Sequence, residues 1–208
     1  MTIDYVDSVP LIEPTDKIDL SIVVSSCRQK KLIHVLRDML IYKPENYFNL
    51  SIRVRLDVVD ADETVVSELR ALPGITLDIG KLEGNTGGGK GKSLIIETIK
   101  SGWVYILDDD NLIHENFFPK AYALIKSYPD KRVFFFSQHN RLAVTQDSIV
   151  GHRHIDTAMF LSHAYMFSSY KYEYSYSADG SYARYCNKDH PDKIQKVGEV
   201  LCYYNKFR

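Results

Sequence analysis

Apolar residues fall in short runs along this chain, broken by polar, glycine or proline residues, and the runs alternate between two periods. Residues 20–25 (Leu20-Ser21-Ile22-Val23-Val24-Ser25), 103–107 (Trp103-Val104-Tyr105-Ile106-Leu107) and 133–136 (Val133-Phe134-Phe135-Phe136) read as strands buried on both faces. Residues 52–59 alternate and then turn fully apolar before Asp60. Residues 75–79 and 197–203 make two more strands. Between them, residues 32–42 place Leu32, Val35, Leu36, Met39 and Leu40 at helical spacing, stopped before Pro44. Residues 63–72 are helical up to Pro73-Gly74. A further helix at 93–100 follows the glycine-rich residues 84–91, and Pro119 suits the first turn of a helix that runs to Ser127. Residues 1–19, with Pro10 and Pro14, read as an irregular lead-in.

Strand and helix in alternation imply a mostly parallel sheet covered by helices on both faces. After Ser137 the pattern changes. Residues 141–150 suggest short antiparallel strands, 155–167 are apolar, 170–177 are rich in tyrosine, and 181–187 are helical. The simplest organisation is one domain over 1–208, with a nucleotide-type half at about 20–137 and a smaller mixed half at about 138–208.

Composition narrows the chemistry. A net charge of −1 gives no global field for nucleic acid, so any basic site is local. Three cysteines (Cys27, Cys186, Cys202) without metal-type spacing suit a reduced, cytoplasmic setting, and Met1-Thr2-Ile3-Asp4 does not read as a signal peptide. No apolar run has the ~20 residues of a membrane span, so a soluble protein is expected. The end at Asn205-Lys206-Phe207-Arg208, straight after a strand, would suit a domain excised from a longer enzyme.

Three stretches carry candidate chemistry. The strand at 103–107 runs into Asp108-Asp109-Asp110-Asn111. In an open α/β sheet, ligands sit at the carboxyl ends of strands. Three adjacent carboxylates call for a positive partner, with Mg²⁺ or Mn²⁺ the natural candidate. The segment Gly84-Asn85-Thr86-Gly87-Gly88-Gly89-Lys90-Gly91-Lys92-Ser93 offers backbone amides, two lysines and a helix N-terminus to an anion. It misses the P-loop pattern in both registers: Thr86 stands where one needs glycine, and Gly91 where the other needs a hydroxyl. A P-loop-like phosphotransferase or NTPase stays the alternative, beside a catalytically silent nucleotide-binding domain. His152-Arg153-His154-Ile155-Asp156-Thr157 is an incomplete metallohydrolase signature, for which a structural role weighs more. Late in the chain, Asp179 lies between Ala178 and Gly180, with room for a ligand or a role as a helix cap.

Together these features resemble the GT-A class of nucleotide-sugar glycosyltransferases. The stretch from Trp103 to Asn111 looks like their DxD motif, in a version similar to that of the animal proteoglycan glucuronyltransferases. The glycine-rich segment, helix and DxD strand in succession also resemble the widespread bacterial inverting transferases. The resemblance covers roughly residues 20–205. It implies a Rossmann-like, mostly parallel sheet flanked by helices, with a small mixed acceptor half.

It further implies a UDP-sugar donor, UDP-glucose-like, with Mn²⁺ or Mg²⁺, and a carbohydrate or other hydroxyl acceptor. Asp110 would bind the metal, and Asp108 would share it or meet the ribose. Ser25, Arg28 and Asp60 would hold the nucleoside, with Asp109 among the donor residues. Lys90 and Lys92 would face phosphate or sugar, and Asp179 would be the base of an inverting transfer. Ala178-Asp179-Gly180 stands where many relatives carry Glu-Asp.

Overall fold

The computed structural model describes residues 3–58, 60–80, 89–148, 155–172 and 177–204. Nine strands form one sheet: β1 (Asp4–Val6), β2 (Ile18–Ser26), β3 (Phe48–Asp57), β4 (Ile75–Gly80), β5 (Trp103–Ile106), β6 (Leu112–Ile113), β7 (Val133–His139), β8 (Phe160–His163) and β9 (Ile194–Tyr203). Their order is β1-β9-β7-β8-β5-β2-β3-β4, with β6 also pairing β9. Two parallel blocks result. In the first, β2 runs parallel to β3 and β5, and β3 parallel to β4. In the second, β9 runs parallel to β7 and β1. Strand β8 joins the blocks, antiparallel to β5 on one side and to β7 on the other.

The described residues also form six α-helices: α1 (Gln29–Ile41), α2 (Glu63–Ala71), α3 (Gly89–Ile96), α4 (Phe117–Ser127), α5 (Ala164–Ser168) and α6 (Ala178–Asp189). Among the described residues no helix is long and apolar enough to cross a membrane. The core follows the apolar runs. Ile22, Val23 and Val24 of β2 and Val104, Tyr105 and Ile106 of β5 are wholly buried. Tyr105 packs on Phe117 of α4 with ring centroids 4.4 Å apart. Helix α2 starts where the Asp62 carboxylate accepts from the Thr64 and Val65 amides, a side-chain cap.

Several expectations are corrected. The lead-in is not wholly irregular: Asp4–Val6 add a strand to the sheet edge, held by pairing with β9. Strand β3 begins at Phe48, ahead of the alternating segment, since its early residues pair with Ile18 and Asp19 of β2. Helix α1 begins at Gln29, inside the expected basic loop. Helix α3 begins at Gly89, inside the glycine segment, and ends at Ile96. Among the described residues of 141–148, only a single bridge from Leu142 to Gln138 stands where antiparallel strands were expected. Helix α6 starts at Ala178, so Asp179 lies in its first turn and Ser177 takes the cap position.

Candidate active site

Chain order reverses across β2. The chain steps from β2 out to β3 and β4, then returns to place β5 on the other side. Such a switch point opens a crevice at the carboxyl ends of the two strands. Ser25 and Ser26 end β2, and Asp108, Asp109 and Asp110 follow β5. Burial on both faces makes these runs strands, and their polar ends then have only the sheet rim to occupy.

At that rim Arg28 answers the aspartates. Its Nε donates to Asp109 Oδ2 at 3.0 Å and its Nη1 to Asp110 Oδ2 at 3.3 Å, while Nη2 pairs with Asp109 Oδ1. The Ser26 hydroxyl donates to Asp109 and accepts from the Arg28 amide at 2.8 Å. The hydrogen bonds to Asp109 outweigh partial burial and hold the guanidinium pKa above its usual value. Asp108 turns elsewhere. It pairs with Lys92 of α3 and accepts from Thr157 Oγ1 at 2.6 Å. Burial opposes a charge on Asp108, but Lys92, Thr157 and Arg28 overcome it and hold the carboxyl below the usual range. Arg28 and Lys92 thus offset part of the triplet's negative charge.

Behind them a fourth carboxylate fixes the floor. Asp156 accepts from Asn111 Nδ2 at 2.9 Å, from Gln138 Nε2 at 3.4 Å and from the Ala158 amide at 3.1 Å. It also pairs with Arg141. It caps the short 3₁₀ turn Thr157–Met159 that leads into β8. So Asn111 and Thr157, one on each side of the aspartate run, are both positioned by one capped turn.

Asp179 stands apart in kind. Among the described residues its carboxylate accepts one hydrogen bond, from the Gly180 amide at 2.8 Å, and no ion pair reaches it. Burial pushes its pKa up to about 6, reinforced by Asp156 and Asp108 and opposed by the Gly180 amide and Lys92. These mutual effects place Asp179 within electrostatic reach of Lys92 and Asp108. Tyr172 is fully buried in the same neighbourhood, and among the described residues its hydroxyl has no hydrogen-bond partner.

The remaining expected residues are spread around this centre. Lys90 is half-buried in the first turn of α3. Lys92 is buried against Asp108, not open to a ligand as expected. Gly91 lets α3 close on the sheet: a Cβ there would collide with Ser25 Oγ and the Asp57 carboxylate. Ser25 donates to Asp57 at 3.3 Å, and Arg55 Nε to the other Asp57 oxygen at 2.8 Å. Asp57 was not among the expected residues. Its signal was the pair Arg55 and Asp57, opposite charges on one strand face at the end of β3. Asp60 is exposed in the bend after β3. Nearby, Cys27, Arg28, Lys30, Lys31 and Asp62 line a basic pocket of about 300 Å³. Residues 84–88, His152 and His154 lie outside the described residues. Ser93 counts against a P-loop: its hydroxyl is buried and donates to the Tyr172 carbonyl at 2.7 Å.

Among the described residues no group of three His, Cys, Asp or Glu side chains is poised around a metal. The donor set still fits one. Asp109 and Asp110 converge on one guanidinium, a cation already in place, and Mg²⁺-type sites commonly take one or two carboxylates plus substrate phosphates.

No protein-family model matches the chain, and no curated protein sequence matches it significantly. Solved structures do. The Pyrobaculum calidifontis mannosyltransferase PcManGT in complex with GDP-Man and Mn²⁺ superposes with a TM-score of 0.69 at 14% identity, over 99% of this chain and 60% of that one. S. aureus TarS 1–349 in complex with UDP-GlcNAc gives 0.64 at 17% identity, over 92% of this chain and 59% of that one. The full S. aureus TarS gives 0.60 at 16% identity, over 89% of this chain and 36% of that one. This chain therefore spans about three fifths of the first two structures and about a third of full TarS. The fold is the GT-A fold, an α/β architecture with a mostly parallel central sheet between helices and a smaller mixed half.

Proposed function

We propose that this chain is a glycosyltransferase that moves a sugar from a nucleotide-sugar donor, a UDP-sugar, to an acceptor hydroxyl with inversion. The observation that carries this reading is the contrast at one crevice. Lys92 and Thr157 hold the Asp108 carboxyl below the usual range, while Asp179 has no ion pair among the described residues and a pKa pushed up to about 6. Groups at one site whose environments push their pKa values apart divide naturally into an electrostatic role and a proton-transfer role.

In this reading Ser25, Arg28, Asp60 and the basic pocket at Lys30 and Lys31 hold the nucleoside diphosphate. Lys90 and the amides that open α3 face its anionic part. Asp109 and Asp110 would supply the protein oxygens to Mn²⁺ or Mg²⁺, which when bound stabilises negative charge on the departing diphosphate. Lys92 and Thr157 hold Asp108 in place, leaving it to meet the ribose or to join the metal. Asp179 accepts the acceptor's hydroxyl proton on its carboxylate as that oxygen attacks the sugar from the face opposite the leaving group.

Calorimetry with UDP-sugars, GDP-mannose and ATP, each with and without Mn²⁺, tests the assignment. Tightest binding of a nucleotide sugar in Mn²⁺, with slow hydrolysis of that donor, is the expected outcome. Preference for ATP, or donor binding without any turnover, contradicts it.

A further inference from the structure

Asp109 and Asp110 do not await a cation bare. Arg28 spans them, with Nη2 shared between the two carboxylates and Nε returning to Asp109. The arrangement is anchored, since Ser26 grips Asp109 and the Arg28 amide together. The guanidinium is only partly covered, with 37% of the Arg28 side chain exposed, and it lines the basic pocket beside α1. A planar fork with five donors suits carboxylate and phosphate equally well. A second cation entering between the same two carboxylates would face this fixed positive charge at close range.

On the strength of the transferase reading above, we propose that Arg28 is the resident counter-ion of the Asp109–Asp110 pair. It is displaced when a divalent cation binds, and the donor's diphosphate receives it. The metal site is then closed in the free protein and opens with the nucleotide. Metal and donor bind together, because each removes an obstacle to the other. The apparent metal affinity of the free protein is lowered by the fraction of molecules in which Arg28 lies elsewhere. If that fraction is about a tenth, removing the guanidinium gains about tenfold in affinity.

The test is a Mn²⁺ titration of the whole chain, read by the electron paramagnetic resonance signal of free Mn²⁺, with and without UDP. Arg28→Gln is expected to bind Mn²⁺ at least tenfold tighter than wild type without nucleotide. UDP is expected to tighten Mn²⁺ binding at least tenfold in wild type and far less in the variant. Ser26→Ala, which loosens the anchor but keeps the charge, should move the same way by a smaller factor. It serves as the second reading should Arg28→Gln fold poorly by circular dichroism. Equal Mn²⁺ affinity in wild type and both variants overturns the displacement and leaves the transferase reading standing. Absence of Mn²⁺ binding in every protein, even with UDP, overturns the metal assignment and this proposal with it.

Discussion

Asp108 at the tip of β5 and Asp179 in the first turn of α6 both feel the buried ammonium of Lys92, yet their pKa values move in opposite directions. Asp108 has that ammonium in contact and a threonine hydroxyl on its other oxygen, so it stays ionised despite burial. Asp179 feels Lys92 only at a distance and meets two other carboxylates from the same crevice, so burial prevails. In the proposed transfer the same residue type would serve electrostatics on the sheet side and proton transfer on the helix side. Contact with Lys92 and Thr157 outweighs burial at Asp108, whereas burial prevails at Asp179, and at Asp156 even beside Arg141.

The largest effect expected from breaking this contrast is on rate. Asp179→Asn keeps the side chain's shape but removes its ability to take a proton. Transfer should fall by a factor on the order of 10²–10⁴ while UDP affinity stays near wild type. Parallel rate and calorimetric measurements check this. Near-wild-type turnover means that the base is elsewhere, and lost affinity means that Asp179 belongs to the donor site.

Lys92→Met acts on the other side. It leaves the half-buried Asp108 without its counter-ion, which costs up to about 3 kcal/mol. Chemical denaturation should show it, and a loss within ~0.5 kcal/mol would mean that the pair is expendable.

Gly91→Ala tests the fit that brings Lys92 to Asp108. Alanine favours a helix by about 1 kcal/mol over glycine. The collision with Ser25 and Asp57 costs more, typically ~1–3 kcal/mol for overpacking. Net destabilisation of about 1 kcal/mol is expected by denaturation, with weaker donor binding as α3 shifts. A more stable variant would show that the close approach is not required.

The smallest effect is in the pH dependence of stability. Asp179 binds its proton more tightly folded than unfolded, so wild type loses stability as pH rises from about 4 to about 6 and keeps that loss above. Asp179→Asn lacks this loss. Its Tm should therefore exceed that of wild type at pH 7, by an amount equivalent to about 1 kcal/mol for a partly exposed group, and match it near pH 4. A constant Tm difference across that range would remove the raised pKa from the account.

Much of this was legible in the chain. Strand β5 announces itself because burial on both faces demands an unbroken apolar run, and the aspartates that follow it have only the rim to occupy. The expectation of positive charge beside the triplet followed from repulsion alone. Arg28 as its source was hidden, since its partner Asp109 lies 81 residues away in sequence and no local pattern links them. Strands β1 and β6, of three and two residues, are too short to show a period and exist through pairing with β9. Helix α3 starts among glycines, against local propensity, because the absence of a side chain at Gly91 lets it pack on Ser25 and Asp57. The burial of Lys92 follows from that packing and from nothing in its own neighbours.

The most direct test of the contrast is the pH profile of the single-turnover transfer rate, measured at saturating donor in wild type and in Asp179→Asn. The account predicts that the wild-type rate rises about tenfold per pH unit below about 6 and levels off above, while the residual rate of the variant does not follow that curve. A variant that retains the same rise and plateau as wild type would contradict it, because the titrating group would then not be Asp179.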